Sequence, residues 1–164
     1  MSLTSTASLL VPKLERTGLA TQDYFQKLST DEWHIQVYSD GPAWAVHNIF
    51  AHLTETEASI PRLIRNIVRG GAGVPEDFDI DRYNKKHVEE VSKLSRQELV
   101  AEHILRRNET ITLTKQLTED DFLKIGRHPF LGESQIVEML KLMMLHSRVH
   151  ERDVRKTLAR SASN

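Results

Sequence analysis

The chain has 164 residues and a formal net charge of -1, from 22 Lys and Arg against 23 Asp and Glu. A chain of this length can bury one sizeable core, so we expect a single domain over residues 1–164. Balanced charge gives no field that would hold a polyanion, so a nucleic-acid partner is not expected. No segment approaches the roughly 20 apolar residues of a membrane span and no secretory pattern is visible, so we expect a cytoplasmic protein without a membrane partner.

Cysteine is absent from the sequence. Disulfides, thiolate metal ligands and a cysteine nucleophile are therefore excluded together. Any bound metal ion must be held by histidine, aspartate or glutamate.

Two helices and a long interruption are predicted in the first half of the chain. Apolar residues three or four positions apart indicate a first helix over about 12–28, whose earlier turns can continue beyond a kink at its first proline. A loop over 29–41 leads to a second helix over about 42–69, which Pro61 is expected to kink or divide. Glycine, proline and acidic residues over 70–81 then interrupt the helical pattern.

Two further helices are predicted in the second half. A short helical segment near 82–91 precedes a third helix over about 95–117, which begins with a Ser-Arg-Gln-Glu capping box. A loop over 118–131 contains its own helical turn. Ser134 is the expected N-cap of a fourth helix over about 134–159. No alternating pattern predicts a strand.

These elements predict an all-α fold, a four-helix bundle with a long connection between helices 2 and 3. About a dozen residues of that connection lack a helical pattern and could span roughly 40 Å when extended, whereas a 20-residue helix is about 30 Å long. A crossover along the bundle is therefore sterically allowed. A simple up-down-up-down order is not required.

His146 and His150 follow an apolar stretch of the fourth helix. Four-residue spacing places both imidazoles on one helix face, with Cβ atoms about 5 to 6 Å apart, so both can bind one metal ion. The alternative is a pair of histidines at the edge of the core, bonded to carbonyl groups or to Glu151 and Asp153. The pair alone does not decide between these readings.

His52 lies between apolar neighbours on the second helix, so we expect it to be partly buried and to need a polar partner. Asn48 and Glu55 share its helix face and could orient the imidazole, or could belong to a solvated face. Trp44 is expected to be a core anchor more often than a platform for substrate.

Five further histidines are expected at the surface or in caps. They are His34, His47, His87, His103 and His128. Other metal and nucleotide motifs are missing from the sequence, since it contains no Glu-x-x-His pair of a di-iron bundle, no zincin motif and no glycine-rich phosphate loop.

Four segments together resemble the DinB/YfiT superfamily. WAVHNIFAHLTETE is similar to its W-x(7)-H-L element, and HSRVHERDVRKTL is similar to its terminal H-x(3)-H helix. Residues 81–84 and 128–132 resemble the stretches that open the third and fourth helices. The resemblance covers the chain from about Leu9 to Leu158, and the order and separation of the motifs are more specific than any one of them.

The resemblance implies a DinB/YfiT-type four-helix bundle whose metal ligands fall on His52, His146 and His150. Relatives such as mycothiol-dependent maleylpyruvate isomerases have a glutamate at the position of His146, so this chain resembles the all-histidine branch. Three neutral ligands that leave coordination positions open are typical of a catalytic zinc site.

The implied function is that of a divalent-metal-dependent enzyme acting on a small molecule, with zinc or nickel as the expected metal. A transferase or isomerase that uses a low-molecular-weight thiol is the leading reading. The alternatives are a metal-dependent hydrolase and a non-catalytic metal-binding stress or interaction protein. No catalytic acid or base can be assigned from the sequence, and a homodimer is a further expectation.

Overall fold

Four long helices form the body of the protein in this computed structural model, which describes residues 5–163. They are α1 (Thr6–Lys27), α2 (Val46–Val68), α4 (Arg96–Gln116) and α6 (Ile136–Ser161). Shorter elements connect them, namely a 3-10 turn (Glu32–His34), α3 (Ile80–Val91), α5 (Glu119–Leu123) and a hairpin of β1 (Ile125–His128) and β2 (Gly132–Gln135). The predicted all-α fold class, a four-helix bundle, is confirmed.

Local capping explains where several helices begin. The Ser5 hydroxyl accepts a hydrogen bond from the amide of Ser8 and starts α1 well before Pro12, as the predicted continuation beyond the proline allows. The predicted capping box is present, because Ser95 and Glu98 each bond the other's backbone amide at the start of α4.

Other predicted boundaries were wrong. Pro61 does not divide α2, whose apolar residues on either side of the proline are buried in the core and hold the helix together. Ser134 does not cap the fourth helix but lies in β2, so α6 begins two residues later, after Gln135. The hairpin was not predicted, since strands of four residues are too short to show an alternating pattern.

Helices α2 and α4 run parallel. Phe50 stacks on His103 near the start of both helices, and Glu57 bonds Arg107 one to two turns further along both. Parallel neighbours need a connection that returns along the bundle, and the chain between α2 and α4 supplies it. The predicted long connection is therefore the structural element that makes a parallel pair possible.

Helix α3 forms the return path and runs antiparallel to α2. Tyr83, near its start, donates to Glu55, whereas Ser92, just after its end, accepts from His47. Because α3 covers the outer side of α2, the N-terminal half of α2 is enclosed between α3 and the bundle.

Two apolar clusters fill the bundle, one at each end. One contains Leu14, Ile64 and Met139, and the other contains Phe25, Phe50 and Leu99. Buried polar residues occupy the helical turns between the clusters, and these include Thr17, Thr21, Gln22, Thr54, Glu57, His103, Arg107 and Thr110. The candidate site lies beside the second cluster.

Candidate metal centre

Three histidine side chains converge at one point on the bundle. The Nε2 atom of His146 lies 3.0 Å from the Nε2 of His52 and 3.0 Å from the Nε2 of His150. One ring nitrogen from each residue falls within 4.8 Å of the other two. The rings stand nearly perpendicular to one another, with interplanar angles of 81° to 85°, so only their Nε2 edges meet.

Two antiparallel helices position these side chains. His52 projects from the N-terminal half of α2, and His146 and His150 lie one turn apart near the middle of α6. His52 is buried, whereas the other two are half-buried, so the group lies just below the surface. Apolar residues of both helices form the core beneath it, which fixes the spacing between α2 and α6.

Burial lowers the pKa of all three imidazoles. The pKa of His52 lies well below its ordinary value, first because of burial and then because of the two neighbouring histidines. Burial and the proximity of His150 lower the pKa of His146 to about 3. Burial also lowers the pKa of His150, although the carboxylate of Asp153 opposes this shift. All three are therefore neutral at pH 7, which is the state that binds a metal ion.

The donor set fits a transition-metal ion. Metal–nitrogen bonds of about 2.0 to 2.1 Å at tetrahedral angles separate two bound nitrogens by roughly 3.3 Å, close to the Nε2 separations found here. Within residues 5–163, no fourth histidine, aspartate or glutamate joins the group. Three protein nitrogens would thus leave coordination positions open to a substrate.

His150 is held from its outer side by a tyrosine and an aspartate. The Tyr38 hydroxyl lies 2.8 Å from the His150 Nδ1 and donates to a carboxylate oxygen of Asp153 at 3.0 Å. Burial, together with this hydrogen bond to Asp153, raises the pKa of Tyr38, so the phenol stays protonated at neutral pH. Sequence reasoning missed Tyr38, because it lies 112 positions before His150 in an irregular loop with no motif.

Two further side chains influence the histidine group, one by contact and one by its charge. The indole of Trp44 packs on His52, with ring centroids 4.9 Å apart and planes tilted by 37°. Trp44 is only partly buried, while Trp33 is the tryptophan buried in the core. His128, in β1, lies close enough to His146 to contribute to the lowering of the pKa of His146. Trp44 therefore borders the site at His52.

Asn48 and Glu55 do not orient His52. Asn48 bonds the amide of Ala45 and the hydroxyl of Ser92, and Glu55 accepts from Tyr83 and Arg62. Both side chains thus fasten α2 to its surroundings instead of reaching the imidazole. Of the two alternatives, the orienting role is not found, because Tyr83 of α3 and Ser92 just after it bond to these side chains on this face of α2.

The expected surface or capping positions of the five remaining histidines are only partly found. The ring of His34 bonds the Thr30 carbonyl at the surface, and His128 caps a turn by accepting the amides of Phe130 and Leu131 through Nδ1. His128 is nevertheless buried, and burial lowers its pKa to about 4. The surface or capping assignment was wrong for His103, which is fully buried in the polar layer of the core.

Sequence comparison places the chain in a family. The pattern of the DinB superfamily matches residues 13–154, which is most of the chain. The chain belongs to the DinB superfamily. The resemblance seen in the sequence is thereby confirmed, whereas the metal-binding role of the three histidines stays a prediction. No curated protein matches the sequence.

Solved structures share the DinB superfamily fold. YfiT from Bacillus subtilis, described as a probable metal-dependent hydrolase with an unusual four-helix bundle topology, has a TM-score of 0.78 at 13% identity, over 95% of this chain and 87% of YfiT. A mycothiol-dependent maleylpyruvate isomerase has a TM-score of 0.76 at 11% identity, over 90% of this chain. The match spans 60% of that isomerase. Identities this low show the fold alone.

One similar structure bears on the expected partners. ClbS, a colibactin self-resistance protein solved in complex with double-stranded DNA, has a TM-score of 0.73 at 11% identity, over 95% of this chain and 96% of ClbS. The expectation of no nucleic-acid partner therefore stays a prediction. Within the part of the chain that the structure describes, no helix is long and apolar enough to cross a membrane.

Proposed function

We propose that this member of the DinB superfamily is a metal-dependent enzyme for a small-molecule substrate, with His52, His146 and His150 holding one divalent zinc or nickel ion. The convergence of three Nε2 atoms carries the proposal. Neutral imidazoles with no acidic ligand among them suit zinc and nickel better than calcium or magnesium, which prefer oxygen ligands.

A low-molecular-weight thiol is the proposed co-substrate, in a transferase or isomerase reaction. A bound metal ion would supply a Lewis acid that favours the thiolate form of such a ligand. The chain's own residues would keep the three imidazoles neutral, exclude water on the buried side of His52 and present the indole of Trp44 beside the site. The fold shared with a mycothiol-dependent isomerase supports this reading over a purely structural site.

Hydrolysis is the second candidate, because YfiT, described as a probable metal-dependent hydrolase, shares the fold over nearly its whole length. The open coordination positions serve water as well as a thiol. A metal-binding protein without turnover is the third candidate, since no carboxylate joins the histidine group as a general base within residues 5–163.

Metal content tests the ligand assignment. Protein purified without an affinity tag and offered zinc or nickel at neutral pH should carry about one ion per chain by elemental analysis. Replacing any one of His52, His146 or His150 by alanine should remove most of it. His34→Ala is the matched control, because His34 is exposed and bonds a carbonyl group. Less than a tenth of an equivalent in the wild type would refute the site.

Cobalt substitution separates the candidate reactions. If a thiol binds the ion, adding glutathione should produce a sulfur-to-cobalt charge-transfer band, and the complex should consume an electrophile faster than the His52→Ala variant does. An unchanged spectrum together with turnover of nitrophenyl esters would favour the hydrolase. An unchanged spectrum with neither reaction would leave the non-catalytic metal-binding protein.

A further inference from the structure

A hydrogen-bonded chain from Asp153 through Tyr38 to His150 determines which nitrogen of His150 carries the proton. The phenol has one hydrogen, and its oxygen lies 3.0 Å from a carboxylate oxygen of Asp153, which can only accept. The phenol hydrogen of Tyr38 therefore lies in the hydrogen bond to Asp153. The phenol oxygen is then left to accept at 2.8 Å from Nδ1 of His150, so the proton of this imidazole lies on Nδ1.

The opposite arrangement is unfavourable. If Tyr38 donated to His150, two acceptors would face each other across 3.0 Å at Asp153, and the imidazole proton would lie on Nε2. That proton would point at the other two histidines and occupy the position that a metal ion needs. Through Tyr38, Asp153 thus keeps the proton of His150 off Nε2.

The loop that carries Tyr38 is fixed at its base. The carbonyl of Trp44 accepts the amides of both Val37 and Tyr38, at 2.9 and 3.2 Å, and Gln36 pairs with Ala45 in an antiparallel bridge. This closed loop, residues 36–45, contacts the site twice, since Trp44 packs on His52 and Tyr38 bonds His150. It therefore joins the ligand-bearing helices α2 and α6 from outside.

His150 differs from the other two histidines of the site in having a hydrogen-bond partner at Nδ1. Within residues 5–163, neither His52 nor His146 has a hydrogen-bond partner at Nδ1, whereas His150 has the Tyr38 hydroxyl. Metal-binding histidines are commonly oriented through the ring nitrogen that does not bind the metal. In this chain a neutral phenol stands between the carboxylate and the imidazole, so the negative charge of Asp153 stays one hydrogen bond away from the ligand.

We propose that Tyr38 and Asp153 are positioning residues of the site, which hold His150 with its proton on Nδ1 and its Nε2 lone pair directed at the metal position. The part of this proposal that concerns metal affinity rests on the proposed function. The part that concerns the proton on His150 does not, because the hydrogen bonds exist in the protein without a metal ion.

Nitrogen NMR of the metal-free protein tests the proton position directly. In the wild type, the His150 ring should show the pattern of the Nδ1–H tautomer. In Asp153→Asn, the amide can donate to the phenol oxygen, which frees the phenol hydrogen for Nδ1, so the His150 tautomer should reverse to Nε2–H. In Tyr38→Phe, Nδ1 loses its partner and both tautomers should appear. An unchanged Nδ1–H tautomer in both variants would overturn the proposal.

Metal titration of the same variants tests the positioning role. Loss of an outer partner of a metal-binding histidine typically weakens affinity by about 10-fold to 100-fold, and both variants should fall in that range. Tyr83→Phe is the matched control, because Tyr83 donates to a carboxylate on α2 but contacts no histidine of the site, and its affinity should equal that of the wild type. A reversed tautomer with unchanged affinity would overturn the positioning role. A wild type that binds no metal would instead refute the proposed function, while the NMR result would still decide the proton position.

Discussion

Glu57 and Arg107 form a bidentate ion pair at the centre of the bundle, where both side chains are only 2% exposed. The Arg107 Nε donates to the Glu57 carboxylate at 2.8 Å, and its Nη2 donates to the other carboxylate oxygen at 2.5 Å. The remaining nitrogen donates to the Leu14 carbonyl and the Thr17 hydroxyl. Three of the four bundle helices therefore meet at one guanidinium, between the two apolar clusters.

The ion pair should be costly to break from one side only. Glu57→Leu leaves the Arg107 guanidinium buried without a counter-charge, and Arg107→Met leaves the carboxylate in the same state. Each single variant should lose about 3 to 5 kcal/mol of unfolding free energy in urea titrations. The double variant should lose clearly less than the sum, because neither charge is left unpaired. Additive losses would contradict the pairing.

Gly18 is expected to resist a substitution that usually stabilises a helix. A Cβ at this position of α1 would lie 2.8 Å from the Cγ of Arg107, close to the base of a side chain whose guanidinium is fully bonded. Gly18→Ala should therefore destabilise the protein by about 1 to 3 kcal/mol, despite a helix-propensity gain of about 1 kcal/mol. In a Glu57→Leu/Arg107→Ala background, the same change should become neutral or stabilising. Thermal and urea unfolding measure the effect of Gly18→Ala on stability in both backgrounds.

Acid should destabilise the metal-free protein through His103. Burial, aided by the nearby charge of Arg107, lowers the pKa of His103 to about 3 in the folded protein, against an ordinary value of about 6.5. The unfolded chain therefore takes up this proton first. The stabilising contribution is fully present above about pH 6.5 and is lost as the pH falls from there towards 3, by up to about 1.4 kcal/mol per pH unit.

Replacing His103 by Gln should reduce the slope of the unfolding free energy against pH between pH 6.5 and 4. The reduction should be up to about 1.4 kcal/mol per pH unit. His34→Gln is the control, since His34 is exposed and its removal should leave the slope unchanged. Parallel curves for the wild type and His103→Gln would show that His103 does not remain neutral in the folded state.

The long helices could be predicted from the sequence because their patterns are local. The capping box at Ser95 and the three-to-four spacing of apolar residues each act within a few turns. The boundary errors came from longer-range effects. Pro61 lies inside α2 because tertiary packing of that helix outweighs the missing hydrogen bond, and the strand that contains Ser134 forms only when β1 pairs with it.

The candidate site likewise combines features that follow from local sequence with features that depend on longer-range contacts. His146 and His150 are one turn apart on one helix, so their proximity follows from spacing, and the family resemblance added His52. Tyr38 could not be predicted as a neighbour of the site, because the closed loop that carries it depends on backbone bonds within 36–45. The burial of His103 was equally hidden, since its partner Gln22 comes from α1.

A metal ion at the three histidines should be retained to lower pH than ordinary imidazoles would allow. Protons compete with the metal for Nε2, and the lowered pKa values of His52, His146 and His150 weaken that competition. Elemental analysis after dialysis from pH 7.5 to 4 should therefore place the release midpoint below pH 6.5. The melting temperature should fall with the metal content, because an ion bound only by the folded state adds RT ln(1 + [L]/Kd) to stability. Release centred above pH 6.5, or identical melting with and without chelator at pH 7.5, would argue that the ion is not held by these three residues.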